Sequence, residues 1–340
     1  MRKYRRSAIG DLDMAKKRLR VALIGCGGNM RGAHVPRIQT DGAVEIAAVA
    51  DTSEEAARAL MDRWGSPVPC YADYRDMIEG HRLDAVMVSS PHALHYEQVD
   101  YALDQGLHTL VEKPLTISSS HTCALIGKAE EKRRILLVSY QRNFMAPHVY
   151  ARELIRKGAI GELRGVVAYV TQNWGGTRGW RLDPVLSGGG MFLDTGSHLV
   201  ASTLWITDLK PLEVSAFLDK AGRDVDINMV VAVRFRDGAY GTLNTFGNAS
   251  RHDERIAIHG SEGSLVFHLH QWQVKSVLLN DEPLKIPARI REDTPDAAFF
   301  RMIRNGGKEY EPPHFALAVS QVSEAAYRSV DAGKPVQVAG

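Results

Sequence analysis

The feature that most limits what this chain can fold into is the stretch LRVALIGCGGNMRGAHVPRI, residues 19 to 38. A short β-branched run enters glycines and leaves as a helix-compatible segment, which reads as strand, turn and helix. Glycines at 25, 27 and 28 allow positive φ and close approach of backbone N–H groups to a ligand, while the helix that follows points its positive end at an anion. A second apolar run, VEIAAVAD, ends at Asp51, at the distance that closes a strand-helix-strand unit and sets a carboxylate against adenosine ribose hydroxyls. That carboxylate would repel a ribose 2′-phosphate, so NAD is favoured over NADP. Two further runs, LDAVMVSSPHALH and LHTLVEKP, alternate with helical segments such as TSEEAARALMDRWG and YEQVDYALDQG. This β-α grammar predicts a parallel sheet with helices on both faces.

In such sheets ligands collect beyond the carboxyl ends of the strands, where Glu112, Lys113 and Pro114 follow the strand HTLV. Lys113 therefore either overlooks the cofactor crevice or is an ordinary solvated lysine. After a linking helix near RNFMAPHVYARELIRKGAIGE the pattern changes. NMVVAVRFRDGAYGTLNTF reads as two strands joined at Asp237 and Gly238, and ERIAIHGSEGSLVFHLH repeats the arrangement. The chain thus divides into a basic tail over 1–18, a dinucleotide-binding domain over 19–140, and an α+β domain over 141–340 with a large, mostly antiparallel open sheet.

Within the second part, GGGMFLDTGSH (188–198) places Asp194 and His198 one helical turn apart. A helix there puts both on one face, and the carboxylate would raise the proton affinity of the imidazole. The pair suits acid-base catalysis, a surface ion pair, or two ligands of a metal that lacks a recognisable third. The glycines would let a ligand approach the helix start. NWGGTRGWRLDP and QRNF supply Trp174, Trp180, Arg178, Arg181 and Arg142, which can stack on sugar C–H faces or hold polar substituents.

Composition narrows the rest. With 42 basic against 40 acidic residues there is no electrostatic footprint for nucleic acid. Three scattered cysteines without CxxC spacing predict free thiols and a reducing, cytoplasmic setting. No segment is apolar enough for a signal core or a membrane span.

With the glycine loop, EKP and SGGGMFLDTGSH in this order, and with SSPHALH, KGAIGELRGVVAYV, GSEGSL and YRSVDAGKPVQV, the chain resembles the Gfo/Idh/MocA family of NAD(P)-dependent oxidoreductases. The resemblance implies a Rossmann domain, a doubly wound parallel sheet, followed by an α+β domain whose open sheet mediates a homodimer or homotetramer. It implies a sugar, inositol or other polyol oxidised at a secondary hydroxyl, or the reverse ketone reduction. Lys113, Asp194 and His198 correspond to the family's catalytic positions, with His198 as principal acid/base, Asp194 as its orienting partner and Lys113 as hydrogen-bond donor or relay. Gly25, Gly27, Gly28, Asn29, Met30, Asp51, Ser90, Pro91, His95, Glu112 and Lys113 would then face the cofactor, and Arg142, Trp174, Trp180 and Arg181 the substrate, with no metal. A glycosidase using transient oxidation and a non-catalytic sugar or nucleotide sensor are the alternatives on the same scaffold. The sequence departs from the family at Met30, in place of a glycine, at His34, one place late, and at Ala201, in place of an aspartate.

Overall fold

A computed structural model describes residues 18 to 338, so the predicted tail over 1–18 lies outside the described residues except for Arg18. Six strands, β1 Leu19–Ile24, β2 Val44–Ala50, β3 Cys70–Tyr71, β4 Ala85–Val88, β5 His108–Val111 and β6 Leu136–Val138, form a parallel sheet in the order β3-β2-β1-β4-β5-β6. The order reverses direction beside β1, and that switch point opens the crevice above the glycine loop. Strands β1 and β4 are buried on nearly every residue, as expected of strands covered on both faces.

Nine strands build the second sheet: β7 Leu163–Asn173, β8 Pro211–Asp219, β9 Asn228–Phe235, β10 Tyr240–Phe246, β11 Asn248–Gly260, β12 Ser264–His270, β13 Gln273–Leu279, β14 Glu282–Pro283 and β15 Val336–Gln337. The order is β14-β13-β12-β11-β7-β10-β9-β8-β15, antiparallel except where β10 runs parallel to β7. The two expected hairpins are present: β9 pairs with β10 through Gly238 at φ +83°, and β11 with β12. Strict alternation along β9 buries Met229, Val231, Val233 and Phe235 against helices and leaves the other face open.

Two findings refine the expected organisation. The helix Pro295–Arg304 returns to the first domain, where Ala298, Phe299 and Phe300 pack with Leu23, Met30 and Ile38. The division at residue 140 therefore does not separate the cores, because this late helix completes one layer of the early sheet. The loop is followed by a π-helical turn, Met30–His34, closed by the Val35 N–H on the Met30 carbonyl. A π turn takes up one additional residue, which matches the displacement of His34 by one place. All three cysteines are free, and among the described residues no helix is long and apolar enough to cross a membrane.

Candidate active site

The cofactor side begins at Gly25, whose φ is +85° and whose Cβ, if added, would lie 2.6 Å from the Ser89 carbonyl oxygen. Only glycine fits, and the turn is thereby pressed against the end of β4. The Cys26 N–H donates to Asp51 Oδ2 at 2.6 Å, and the Ser53 N–H to Oδ1 at 2.8 Å. Asp51 thus organises the loop from the tip of β2. Gly27 and Gly28 face open space, with nothing within 4 Å of an added Cβ. They line a cleft of about 450 Å³ together with Asn29, Ser90, Glu112 and Lys113. Open backbone beside a helix start, with a carboxylate at the neighbouring strand end, fits a dinucleotide.

Behind the loop lies a buried charge array. His34 Nδ1 meets Asp296 Oδ1 at 2.7 Å and its Nε2 meets Glu112 Oε1 at 3.1 Å, while Arg37 donates to Asp296 Oδ2 at 3.0 Å. Burial alone would lower the His34 pKa, but the two carboxylates outweigh it and lift it to about 10. Burial would likewise raise Glu112, whereas His34, Lys113 and Ser139 hold it well below the usual carboxylate range.

The substrate side is centred on Asp194. Lys113 Nζ donates to Asp194 Oδ1 in a short ion pair and to the Asp194 carbonyl at 3.0 Å, and Arg181 Nε donates to Oδ2 at 2.8 Å. Against the effect of burial, these cations keep Asp194 ionised far below its ordinary range. His92 donates from Nδ1 to the Ser187 carbonyl at 3.0 Å, which leaves Nε2 as an acceptor 3.8 Å from Asp194 Oδ1. Burial pushes its pKa down to about 3, so it is neutral.

Asp194 and His198 line the same cleft without touching. Thr195 separates a short helix, Met191–Asp194, from Gly196–Thr207, and Lys113 occupies the carboxylate. The expected rise in the His198 pKa is reversed. Burial and the positive charges of Lys113 and Arg142 hold it well below 6.5, outweighing Glu112 and Asp194. Its Nδ1 is buried with no partner among the described residues. The ring is fixed instead by aromatic neighbours, Tyr140 at 6.0 Å and Trp272 at 5.6 Å between centroids. Asp194 is therefore not its orienting partner.

The glycine run serves protein packing rather than ligand approach. An added Cβ on Gly190 would lie 1.9 Å from the Asp226 carbonyl oxygen. The buried Asp226 carboxylate accepts from the Gly190 and Phe192 N–H groups at 2.6 and 2.8 Å and from Tyr327 Oη at 2.7 Å. This buried cap fixes the helix start that carries Asp194.

Other expected positions divide clearly. Trp174, Trp180 and Arg181 line the cleft, with Trp180 4.6 Å from the His92 ring. Arg142 does not: it is 1 % exposed and bound through both terminal nitrogens to the buried Glu254. Arg178 spends Nη1 on the Gly175 and Thr177 carbonyls. Met30 is a core residue with a fully buried side chain. His95 is buried with its ring nitrogens 2.8 and 3.0 Å from the Pro114 and Ser90 carbonyls, one of which accepts its single N–H, so it sits between two cleft loops rather than facing a cofactor. Pro91 caps the 3₁₀ turn that presents His92. Sequence reasoning missed His92, Gln172, Thr195 and Trp272, all in the cleft wall. Only His92 carried a signal, as the first histidine of SSPHALH. Among the described residues no group of three histidine, cysteine or acidic side chains is arranged to hold a metal ion.

A sequence profile described as "Oxidoreductase family, NAD-binding Rossmann fold" matches residues 19–140, and one described as "GFO/IDH/MocA C-terminal domain" matches 148–266. D-glucoside 3-dehydrogenase of Escherichia coli K12 is 28% identical over 57% of this chain and 55% of its own length. D-xylose 1-dehydrogenase (NADP(+)) 2 of Haloferax volcanii is 32% identical over 57% of this chain and 59% of its own. The chain thus spans a little over half the length of these relatives. The crystal structure of GenD2 from gentamicin A biosynthesis in complex with NAD is 25% identical, covers 95% of this chain and 97% of that one, and superposes with a TM-score of 0.81.

Proposed function

The chain belongs to the Gfo/Idh/MocA oxidoreductase family, and from that premise we propose that it oxidises a secondary hydroxyl of a sugar, inositol or related polyol, or reduces the corresponding ketone, with NAD. The observation that carries the reading is the arrangement of Lys113 and Asp194, with Arg181 and a neutral His198, in the cleft that also contains the Gly27-Gly28 loop. The cofactor supplies hydride chemistry. Gly27, Gly28 and Asn29 would hold its pyrophosphate and Asp51 its adenosine ribose, where a 2′-phosphate would be repelled.

The chain's own groups manage the proton and the charge. Lys113, held by Asp194, donates a hydrogen bond to the substrate oxygen and stabilises alkoxide as it forms. His198, neutral, accepts the hydroxyl proton, and bound NAD would take the carbinol hydrogen with its electron pair, so that a carbonyl would remain. A neutral imidazole is ready to accept without first losing a proton. Trp174, Trp180 and Arg181 position the ring and its polar groups. Incubation with NAD, NADP and a panel of sugars and polyols, followed by nicotinamide absorbance, tests the proposal: NADH formation with at least one cyclic polyol is expected, and absence of any pyridine nucleotide affinity overturns it.

The open face of the second sheet carries Phe217 at 76% and Tyr240 at 63% exposure beside Val167 and Val230. An apolar patch of this kind supports a homodimer or homotetramer through that sheet. A Phe217→Glu chain should run as a smaller species in light scattering. Free thiols, two of them exposed, support a cytoplasmic setting.

A further inference from the structure

Two neighbouring hairpins of the second sheet use the same turn with very different residues. Between β13 and β14, Leu279 pairs with Glu282, and the connecting Asn280 and Asp281 have φ +53° and +65°. Asparagine and aspartate tolerate this left-handed region. Between β12 and β13, His270 pairs with Gln273, and the connecting residues are Gln271 at φ +48° and Trp272 at φ +69°. A bulky side chain is an outlier there. The fold therefore had tolerant residues to use and placed an indole instead.

The surroundings hold that indole in one orientation. The Gln271 N–H donates to His252 Nδ1 at 3.1 Å, and the His252 ring lies 4.9 Å from Trp272. The Arg142 guanidinium, itself clamped by Glu254, stands 5.6 Å from the indole centroid. From this support Trp272 reaches the cleft wall, where Trp174 and Trp180 also stand, and packs 5.6 Å from His198.

We propose that Trp272 is a specificity-determining residue that reads the apolar C–H face of a cyclic sugar or cyclitol, and selects it over an open-chain polyol. The inference rests on the oxidoreductase reading above and adds the ring requirement to it. A ring presents several C–H groups as one rigid face to an indole, whereas an open chain must freeze its torsions to do the same. The strained turn is what brings the indole over the substrate end of the cleft.

The test uses the full chain loaded with NADH, so that no turnover occurs, titrated calorimetrically with methyl β-D-glucopyranoside, D-xylose, myo-inositol and D-sorbitol. Trp272→Asn places a turn-tolerant residue at the tip and removes the indole. The expected result is an affinity loss of about tenfold or more for the best cyclic ligand, with NADH affinity held within about twofold. Trp272→Phe, which keeps an aromatic face, should fall between the two chains. Unchanged affinity of Trp272→Asn for the cyclic ligand, or sorbitol bound as tightly as the rings by the native chain, overturns the inference alone. A native chain that binds NADH and none of the four compounds overturns it together with the sugar reading.

Discussion

His34 and His198 are both enclosed by protein and both stand close to the reaction cleft, yet they are opposite electrostatic solutions. His34 has a carboxylate on each ring nitrogen, at 2.7 and 3.1 Å, and its pKa is lifted to about 10. His198 has no orienting carboxylate, packs between Tyr140 and Trp272, and is held well below 6.5. The first is a cation at neutral pH that ties the late helix Pro295–Arg304 to the cofactor loop and Glu112. The second is a neutral base whose Nδ1 has no hydrogen-bond partner among the described residues. Burial is common to both; the identity of the nearest charges decides the outcome.

The strongest way to break the contrast is to remove the charge that serves the reactive side. Lys113→Met should lower turnover by about 10² to 10⁴-fold, since it removes the hydrogen bond to the substrate oxygen and the positive charge that stabilises alkoxide. Stopped-flow NADH formation checks this, and near-native turnover would remove Lys113 from the chemistry. Second in size is Arg142→Met. Leaving Glu254 buried without its partner should cost about 3–5 kcal/mol of stability in urea unfolding. Arg142→Met/Glu254→Leu should regain most of it, because both charges are then gone. A native-like stability with a raised KM would instead return Arg142 to the substrate side.

What the sequence revealed and what it hid divide along chain distance. The glycine turn, the placement of Asp51 and Lys113 just beyond strand ends and the two expected hairpins were legible because each depends on neighbours within one supersecondary unit. The role of His34 was not, since its partner Asp296 lies 262 positions away. Arg142 was misassigned for the same reason: Glu254, 112 positions later, claims its guanidinium. Helical spacing correctly brought Asp194 and His198 to one cleft, but spacing cannot show that Lys113 reaches the carboxylate first. Glycines 188 to 190 suggested room for a ligand, but what fills it is protein: Ile117 at Gly188, Tyr327 at Gly189 and, at Gly190, Asp226 from a strand connection that local pattern does not locate.

The pH dependence of stability sharpens the contrast further, because the two histidines act with opposite sign. His34 binds its proton more tightly when folded, about 10 against 6.5 unfolded. Its contribution is therefore full below pH 6.5 and is lost as pH rises towards 10, at up to about 1.4 kcal/mol per pH unit. His198 binds its proton more weakly when folded. Its contribution is present above pH 6.5 and is lost as pH falls, a limb shared with His92 and His148, both at about 3. His34→Gln should flatten only the alkaline limb of a denaturation series, and His198→Gln should soften only the acidic one. Loss of both limbs in either variant would mean that the histidines are coupled.

The smallest effect on stability comes from the loop itself. Gly27 faces open space and lacks a left-handed φ, unlike Gly25. An alanine there meets no protein atom and restricts the unfolded chain, so Gly27→Ala should be neutral or gain about 0.4–1 kcal/mol. The same methyl group projects into the space assigned to the cofactor, so NAD affinity should fall while the fold does not suffer. Calorimetric titration beside thermal unfolding separates the two quantities. If Gly27→Ala bound NAD as the native chain does, the space above the loop would not be the cofactor's, and His34 would be bracing a turn with no pyrophosphate to receive.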